Sequence, residues 1–427
     1  MPSLWTSIAL GEMGTDPAND VRLLDLWIQR AGPKKLMKIM LCHEMKDAER
    51  PVFFDANRGE RYLVGMKVLT NKLLSISQRW QALELHALDL YVLDPILRSL
   101  TTNGAPHLES LSISTKYFDF YGSVHFIDLS NCPSLRALRV LCPMICPTGK
   151  SLPAINMTDL ELRFCPLMRD CHTWLSNCPN LERLSVRFFR AISSSLPRER
   201  LPLTLPCLTH LSISCFSDDS DPTSLLDLLH LPALRDFSLD MNGSVHPEPN
   251  EAWSEQFCDI FRRSGSPVEH LALLGTPMTS DALIQLLEST RRLTGLLLSG
   301  SVVSDRLLDS MAINMKARHA SSEEVPPTGE MVFSLCPRLE SLELREFDCS
   351  LDTLVSLVYA RCRAVGRSPR QMIEFEDCLV PRNLGTLKRL TLIWSPHSTF
   401  PDHPLIRECI VGGLEVTNRA YNTEKCM

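Results

Sequence analysis

The sequence has no apolar run that reaches a bilayer span, for which about 20 consecutive apolar residues are needed. Its opening stretch, Met1 to Asp25, lacks the charged, apolar and small-residue segments of a secretory signal. The expected location is therefore intracellular, in cytoplasm or nucleus, with no membrane partner. Basic residues are not in excess: 44 Lys and Arg stand against 50 Asp and Glu, a net charge of -6. Electrostatics gives no ground for a nucleic-acid partner. No phosphate-cradling glycine loop, nucleophile elbow or His-Glu-x-x-His pattern occurs. The chain is not read as an enzyme; no catalytic, cofactor-binding or metal residues are expected. Sixteen cysteines in 427 residues are too dilute for a disulfide scaffold, and in an intracellular protein they are expected to be reduced. The sequons at Asn156 and Asn242 then carry no glycan.

What the sequence does contain is a recurring phrase, Leu-x-x-Leu-x-Leu, often led by proline. It reads Pro106 to Ile113, Pro133 to Val140, Pro179 to Val186, Pro206 to Ile213, Pro232 to Leu239 and Pro337 to Leu344. Copies without the proline start at Leu293 and Leu387, and weaker ones at Met157 and Val268. Leu36 to Leu41 and Trp80 to Leu85 read as degenerate early copies, and Met372 to Phe375 as a late one. Lead leucines at 108 and 135, then at 181, 208 and 234, are 26 or 27 residues apart, the spacing of a long leucine-rich repeat. About twelve irregular units are expected, because one such unit cannot bury its apolar face alone.

The last two apolar residues of each phrase are two apart, which is strand spacing. Between phrases lie helical patterns: Leu225 to Leu229, Ser280 to Leu287 with Ser280 and Asp281 as the cap signal, and Leu351 to Val358. The expected fold is α/β, a curved leucine-rich-repeat solenoid with parallel strands on the inner wall and helices outside. Residues 1–20 are read as a lead-in segment, 21–410 as the solenoid and 411–427 as a polar C-terminal tail. Ser217 to Pro222 reads as an acidic loop, and 314–329 as a mobile insertion.

Two clusters have chemical potential. Cys142, Cys146, Cys165, Cys171, His172 and Cys178 form the densest group of thiols and imidazole, but zinc sites use close pairs such as Cys-x2-Cys. Cys132, Cys178 and Cys336 recur directly before the proline of the phrase, a packing slot for a small hydrophobe. Arg361, Arg363, Arg367 and Arg370, with Arg382, Lys388 and Arg389, form a basic patch without interleaved aromatics, read as a solvated helix end and turn.

Three further segments resemble the fungal family of F-box and leucine-rich-repeat proteins. Pro2-Ser-Leu4-Trp5-Thr-Ser-Ile8 is similar to the phrase that closes that family's F-box. Leu26-Trp27-Ile28-Gln-Arg30-Ala-Gly32 resembles its first helix, and Arg79-Trp80-Gln-Ala-Leu83-Glu-Leu85 its next strand. The resemblance implies a substrate receptor of an SCF-type cullin–RING ubiquitin ligase, whose F-box docks on a Skp-family adaptor. Only Pro2, Leu4 and Trp5 of that module are expected here, because the docking helices are absent; either the reading frame starts late or the module has been lost. The adaptor is then a partner only if an upstream F-box exists. The alternatives are a stand-alone scaffold that binds a protein partner and, more remotely, an enzyme on the repeat frame.

The residue between the last two apolar positions of each phrase points away from the core. Along the phrases this gives Ser112, Arg139, Glu161, Ser185, Ser212, Ser238, Ala272, Leu297, Glu343 and Thr391. Arg163, Arg183 and Arg187 join Arg139 on the same wall, with Asp159 and Glu182 as local partners. These four arginines are the expected contacts for an unknown protein target, through bidentate pairing with carboxylate or phosphate. Outside such a complex the chain is expected to be a monomer.

Overall fold

The computed structural model describes residues 2–11, 16–42, 56–86, 90–114, 125–141, 145–147, 156–165, 175–188, 202–215, 222–241, 248, 250–300, 302–312, 335–363 and 387–420. The chain divides into two compact units, Met1–Leu208 and Thr209–Met427. In the first, strands β1 (Ser7–Leu10), β2 (Met37–Cys42), β3 (Trp80–His86), β4 (Ser110–Ser114), β5 (His125–Ile127), β6 (Ala137–Leu141), β7 (Ile145–Pro147), β8 (Asp159–Cys165), β9 (Arg183–Phe188) and β10 (Leu203–Thr204) accompany helices α1 (Pro17–Ala31), α2 (Ala56–Ser75) and α3 (Leu90–Thr102). Seven of these strands form a parallel sheet in the order β1-β2-β3-β4-β6-β8-β9, while β5 pairs with β7. The second unit contains β11 (His210–Cys215), α4 (Thr223–Leu226), β12 (Leu229–His230), β13 (Asp236–Asp240), α5 (Glu251–Ser264), β14 (His270–Leu274), α6 (Ser280–Ser289), β15 (Gly295–Ser299), α7 (Asp305–Ala312), β16 (Ser341–Arg345), α8 (Leu351–Arg363), β17 (Arg389–Ser395), α9 (Pro404–Val411) and β18 (Glu415–Ala420). Its seven parallel strands run β11-β13-β14-β15-β16-β17-β18. Among the described residues, no helix is long and apolar enough to cross a membrane.

The repeated phrase has a local cause. The amide of each lead leucine donates to the carbonyl three residues earlier: Leu135 to Cys132 at 3.0 Å, Leu181 to Cys178 at 3.2 Å, Leu234 to Leu231 at 3.2 Å and Leu339 to Cys336 at 3.1 Å. Each is a β-turn with proline at its second position, where a fixed φ near -65° is favoured and no N–H is required. The turn delivers the chain onto the preceding strand, where one carbonyl accepts two successive amides. Glu109 O accepts from Arg136 and Ala137, and Thr158 O from Glu182 and Arg183. In the second unit Thr209, Arg235, Glu269, Thr294 and Glu340 each do the same for the strand that follows. This two-donor step fixes register, so Leu211 pairs with Phe237 and then Leu271, Leu296, Leu342 and Leu390 follow in line.

Register converts two-residue spacing into two faces. Lead leucines 108, 135, 181, 208, 234, 293 and 339 are at most 1 % exposed, and both apolar strand residues of each described phrase are at most 3 % exposed. Burial of one such side chain is worth roughly 1.5–3 kcal/mol. In the second unit helices cover this face. α5 starts at Asn250, whose side chain accepts from Trp253 N at 3.1 Å, and ends at left-handed Gly265. Its Phe257 and Phe261 pack on Phe237 of β13 at 5.6 and 5.2 Å between ring centroids. In α6 the cap is Thr279, which accepts from Ala282 N at 3.3 Å, one residue before the expected Ser280.

Three expectations on the chain's organisation change. The parallel strands begin at Ser7, inside the segment read as preceding the repeats, because β1 pairs with β2 from Ser7↔Lys38 to Leu10↔Leu41. At the other end, Glu415–Ala420 is not tail but β18, paired to β17 from Arg389↔Glu415 onward. The helical pattern at Leu225 to Leu229 ends at Leu226, and Leu229 belongs to β12. Ser217 to Asp221, the 314–329 insertion and the copy at Met372 to Phe375 lie outside the described residues.

The residue after each of β14, β15 and β16 is left-handed: Gly275 at φ 57°, Gly300 at 88° and Glu346 at 47°. Glycine takes this conformation freely and glutamate does not. Glu346→Gly should therefore stabilise the protein by about 0.5–1 kcal/mol, read as a higher urea midpoint with unchanged slope; a lower midpoint would refute it. Leu211, 1 % exposed, tests the opposite case. Leu211→Asp buries an unpaired charge and should cost about 3–5 kcal/mol, seen by circular dichroism melting and proteolysis; an unchanged melt would place Leu211 in solvent.

Candidate recognition surface

The sheet face opposite the leucines carries the expected ladder, strand by strand. In the first unit Ser112 pairs with Arg139, Arg139 with Glu161 and Glu161 with Ser185. In the second, Ser212, Ser238, Ala272, Leu297, Glu343 and Thr391 follow one another in register, and Thr417 extends the row. Most of these residues are half-buried and Arg139 is exposed. Ser112 is buried, a short side chain standing between Glu84 and Arg139.

Two of the four arginines on this face, Arg139 and Arg183, are paired locally. Arg139 Nε lies 3.7 Å from Glu161 Oε2 on the next strand. Arg183 forms an ion pair with Asp159 across β8 and β9, and that carboxylate raises the guanidinium pKa through a hydrogen bond. Arg187 sits opposite Arg163 in the ladder; the Arg163 side chain lies outside the described residues. Surface pairs of this kind contribute about 0–1 kcal/mol, so exchanging one for a partner's carboxylate costs little.

The second unit holds a group that the ladder reading missed. His210, Asp236 and His270 occupy matched positions on β11, β13 and β14. Asp236 accepts from His210 Nε2 at 2.8 Å and from His270 Nδ1 at 2.5 Å. The Thr209 hydroxyl lies 2.7 Å from His210 Nδ1, the ring atom left to accept when Nε2 donates to the carboxylate. Across the next strand a β-carbon at Gly295 would stand 2.6 Å from His270 Cδ2, so only glycine leaves room for this ring. The signal was present in sequence, two positions before each ladder residue. Reading that column across phrases gives His, Asp, His and Gly. His270 Nε2 in turn lies 3.4 Å from the Thr294 hydroxyl, so the row is hydrogen-bonded from end to end although both rings are about half exposed.

One member of the basic patch is corrected, while Lys388 and Arg389 are exposed as expected. Arg361 is fully buried rather than solvated, and it makes four hydrogen bonds to three carbonyls. Nε and Nη2 donate to Met311 O at 3.2 and 2.8 Å, Nη2 to Leu335 O at 2.6 Å, and Nη1 to Cys336 O at 2.8 Å. Met311 lies in the last turn of α7, where carbonyls lack helical partners. Burial lowers the Arg361 pKa to about 10, still charged at neutral pH. Lys388 pairs with Glu340 at 2.9 Å. Arg367, Arg370 and Arg382, and the Arg363 side chain, lie outside the described residues.

Cys132, Cys178 and Cys336 occupy the expected buried slot, and burial pushes the Cys178 and Cys336 thiols up to about 11 and 12. Of the other members of the thiol cluster, Cys142, Cys171 and His172 lie outside the described residues, as do the side chains of Cys146 and Cys165. At the N-terminus Trp5 packs edge-on against Trp27 at 4.7 Å, with the Arg30 guanidinium 4.4 Å from the Trp5 ring. Trp27 Nε1 donates to Ser7 O at 2.9 Å, and Leu4 is 69 % exposed. No protein-family model matches the sequence, and no curated protein matches it.

Arg361→Met should cost about 3–5 kcal/mol, because three buried carbonyls lose their donors. Arg361→Lys should recover only part of it, since one ammonium cannot span all three. Urea denaturation of both variants checks this, and a wild-type midpoint for Arg361→Met would show that the carbonyls find other donors.

Proposed function

We propose that this chain is a protein-recognition module, a leucine-rich-repeat solenoid that serves as substrate receptor of an SCF-type cullin–RING ubiquitin ligase. The observation that carries the recognition half is the half-exposed ladder of small, charged and hydroxyl side chains, held in register on strand after strand. Parallel strands with one face buried under helices leave the other free for a partner. The ligase half rests on the resemblance of Pro2 to Ile8, Leu26 to Gly32 and Arg79 to Leu85 to the fungal F-box family. The bound target is a protein with acidic or phosphorylated segments, met by Arg139, Arg163, Arg183 and Arg187.

A stand-alone scaffold is the second reading, and one observation favours it. Trp5, the bulkiest of the three F-box-like residues, is spent on Trp27 and Arg30 within the chain, which leaves little surface for an adaptor.

The test is affinity capture from native cell extract with wild type and with Arg139→Glu/Arg183→Glu. Reversal should lower the yield of specific partners about ten-fold, with the fold retained and only a small fall in melting temperature from the two lost local pairs. Identical partners and yields would show that the arginines serve only their local pairs. Saturable binding of purified Skp-family adaptor selects the ligase reading; partner capture without it selects the scaffold.

A further inference from the structure

On the helical side of the first unit, α1 and α2 leave a groove of 640 Å³ between them. Its lining is Ala18, Val21 and Arg22 of α1, with Asp16 at its cap, and Arg61, Val64, Gly65 and Val68 of α2. The helices approach closely because Gly65 has no side chain; a β-carbon there would stand 3.0 Å from Pro17 Cβ. Further along, the Asp25–Lys72 ion pair ties the two helices together.

Two properties set this groove apart from a solvated helix surface. First, α2 exposes apolar side chains on its outer surface, Val64 at 58 % and Val68 at 49 %, with Leu63 beside them at 46 %. An outer helix of such a layer is expected to be polar there. Second, Arg22 and Arg61 are both exposed, and among the described residues neither is engaged in an ion pair. The third charge in the lining, Asp16, already accepts from Ala18 N at 3.0 Å as the cap of α1. What remains is an apolar trough flanked by two exposed guanidinium groups, with its one carboxylate, Asp16, already turned to the start of α1.

We infer that this groove is a docking site for an acidic amphipathic helix of a partner protein. Its leucine-like side chains occupy the trough over Val64 and Val68, and its flanking carboxylates pair with Arg22 and Arg61. The geometry is helix-in-groove recognition, in which apolar residues at i, i+3, i+4 and i+7 enter between two helices. Charge complementarity selects the acidic partner over a basic one. The site uses none of the residues proposed for the open face, so the two can stand or fall separately.

Two synthetic helical peptides test it, each with leucines at i, i+3, i+4 and i+7, one flanked by glutamates and the other by lysines at the same positions. Fluorescence anisotropy against the whole protein should give saturable binding of the glutamate peptide, at least about ten-fold tighter than the lysine peptide. Arg22→Glu/Arg61→Glu should invert that preference, and Val64→Asp should weaken both, each at an unchanged melting temperature because all three side chains are exposed. Absence of saturable binding, equal affinity for the two peptides, or a preference that survives charge reversal would each overturn the assignment. Milder Arg22→Gln/Arg61→Gln gives the same reading should the reversed variant lose stability; it should level the two affinities, and an undiminished preference would refute the site.

Discussion

The interaction on which both units depend is a small one, repeated: the amide of a lead leucine donates to the carbonyl three residues back. That bond closes the Pro-led turn, and the next two amides share a carbonyl of the preceding strand. Together they set where each strand starts relative to its neighbour. A slip of one residue would turn every leucine toward water, so the turn and the hydrophobic pattern enforce the same register. Local chemistry and burial agree at each step, which is how a sequence of irregular copies still specifies one arrangement.

With register fixed, the open face becomes a column-by-column array. One column is the ladder from Ser112 to Ser185 and from Ser212 to Thr417; the column two residues earlier contains Arg183 with Asp159, and His210 with Asp236 and His270. Neighbouring strands bring opposite charges within ion-pair distance, and each pair is worth little in solvent. Such a face is ordered without being committed. Its side chains are held near their positions, yet a partner that offers a better carboxylate or phosphate can displace the local one.

Where the repeat pattern weakens, single side chains take over. Arg361 joins the end of α7 to the turn before β16, on either side of residues 313–334, through four hydrogen bonds to main-chain carbonyls. Arg79 does similar work near the N-terminus, donating to Gly32 O at 2.6 Å and Lys35 O at 2.9 Å. Trp27 fastens α1 to β1. A guanidinium suits this role because its planar fork satisfies several acceptors at once, which an ammonium cannot.

The sequence by itself determined the strands that carry the repeated phrase, their parallel stacking and the identity of the two faces, because these follow from turn chemistry and a spacing of two. It placed Leu211 inside and Arg139 outside, and it put Cys132, Cys178 and Cys336 in one buried slot. It did not reveal that Glu415 to Ala420 is a strand, since the edge of a sheet is polar and lacks the leucine phrase. Nor could it separate Arg361 from the arginines around it: charge reads as solvent exposure until the three carbonyls that bury it are assembled from distant segments. The Asp236 pairing with His210 and His270, and the trough between α1 and α2, were decided only in three dimensions. Both depend on which residues of neighbouring units come side by side, and a one-dimensional pattern does not state that until register and helix packing are known.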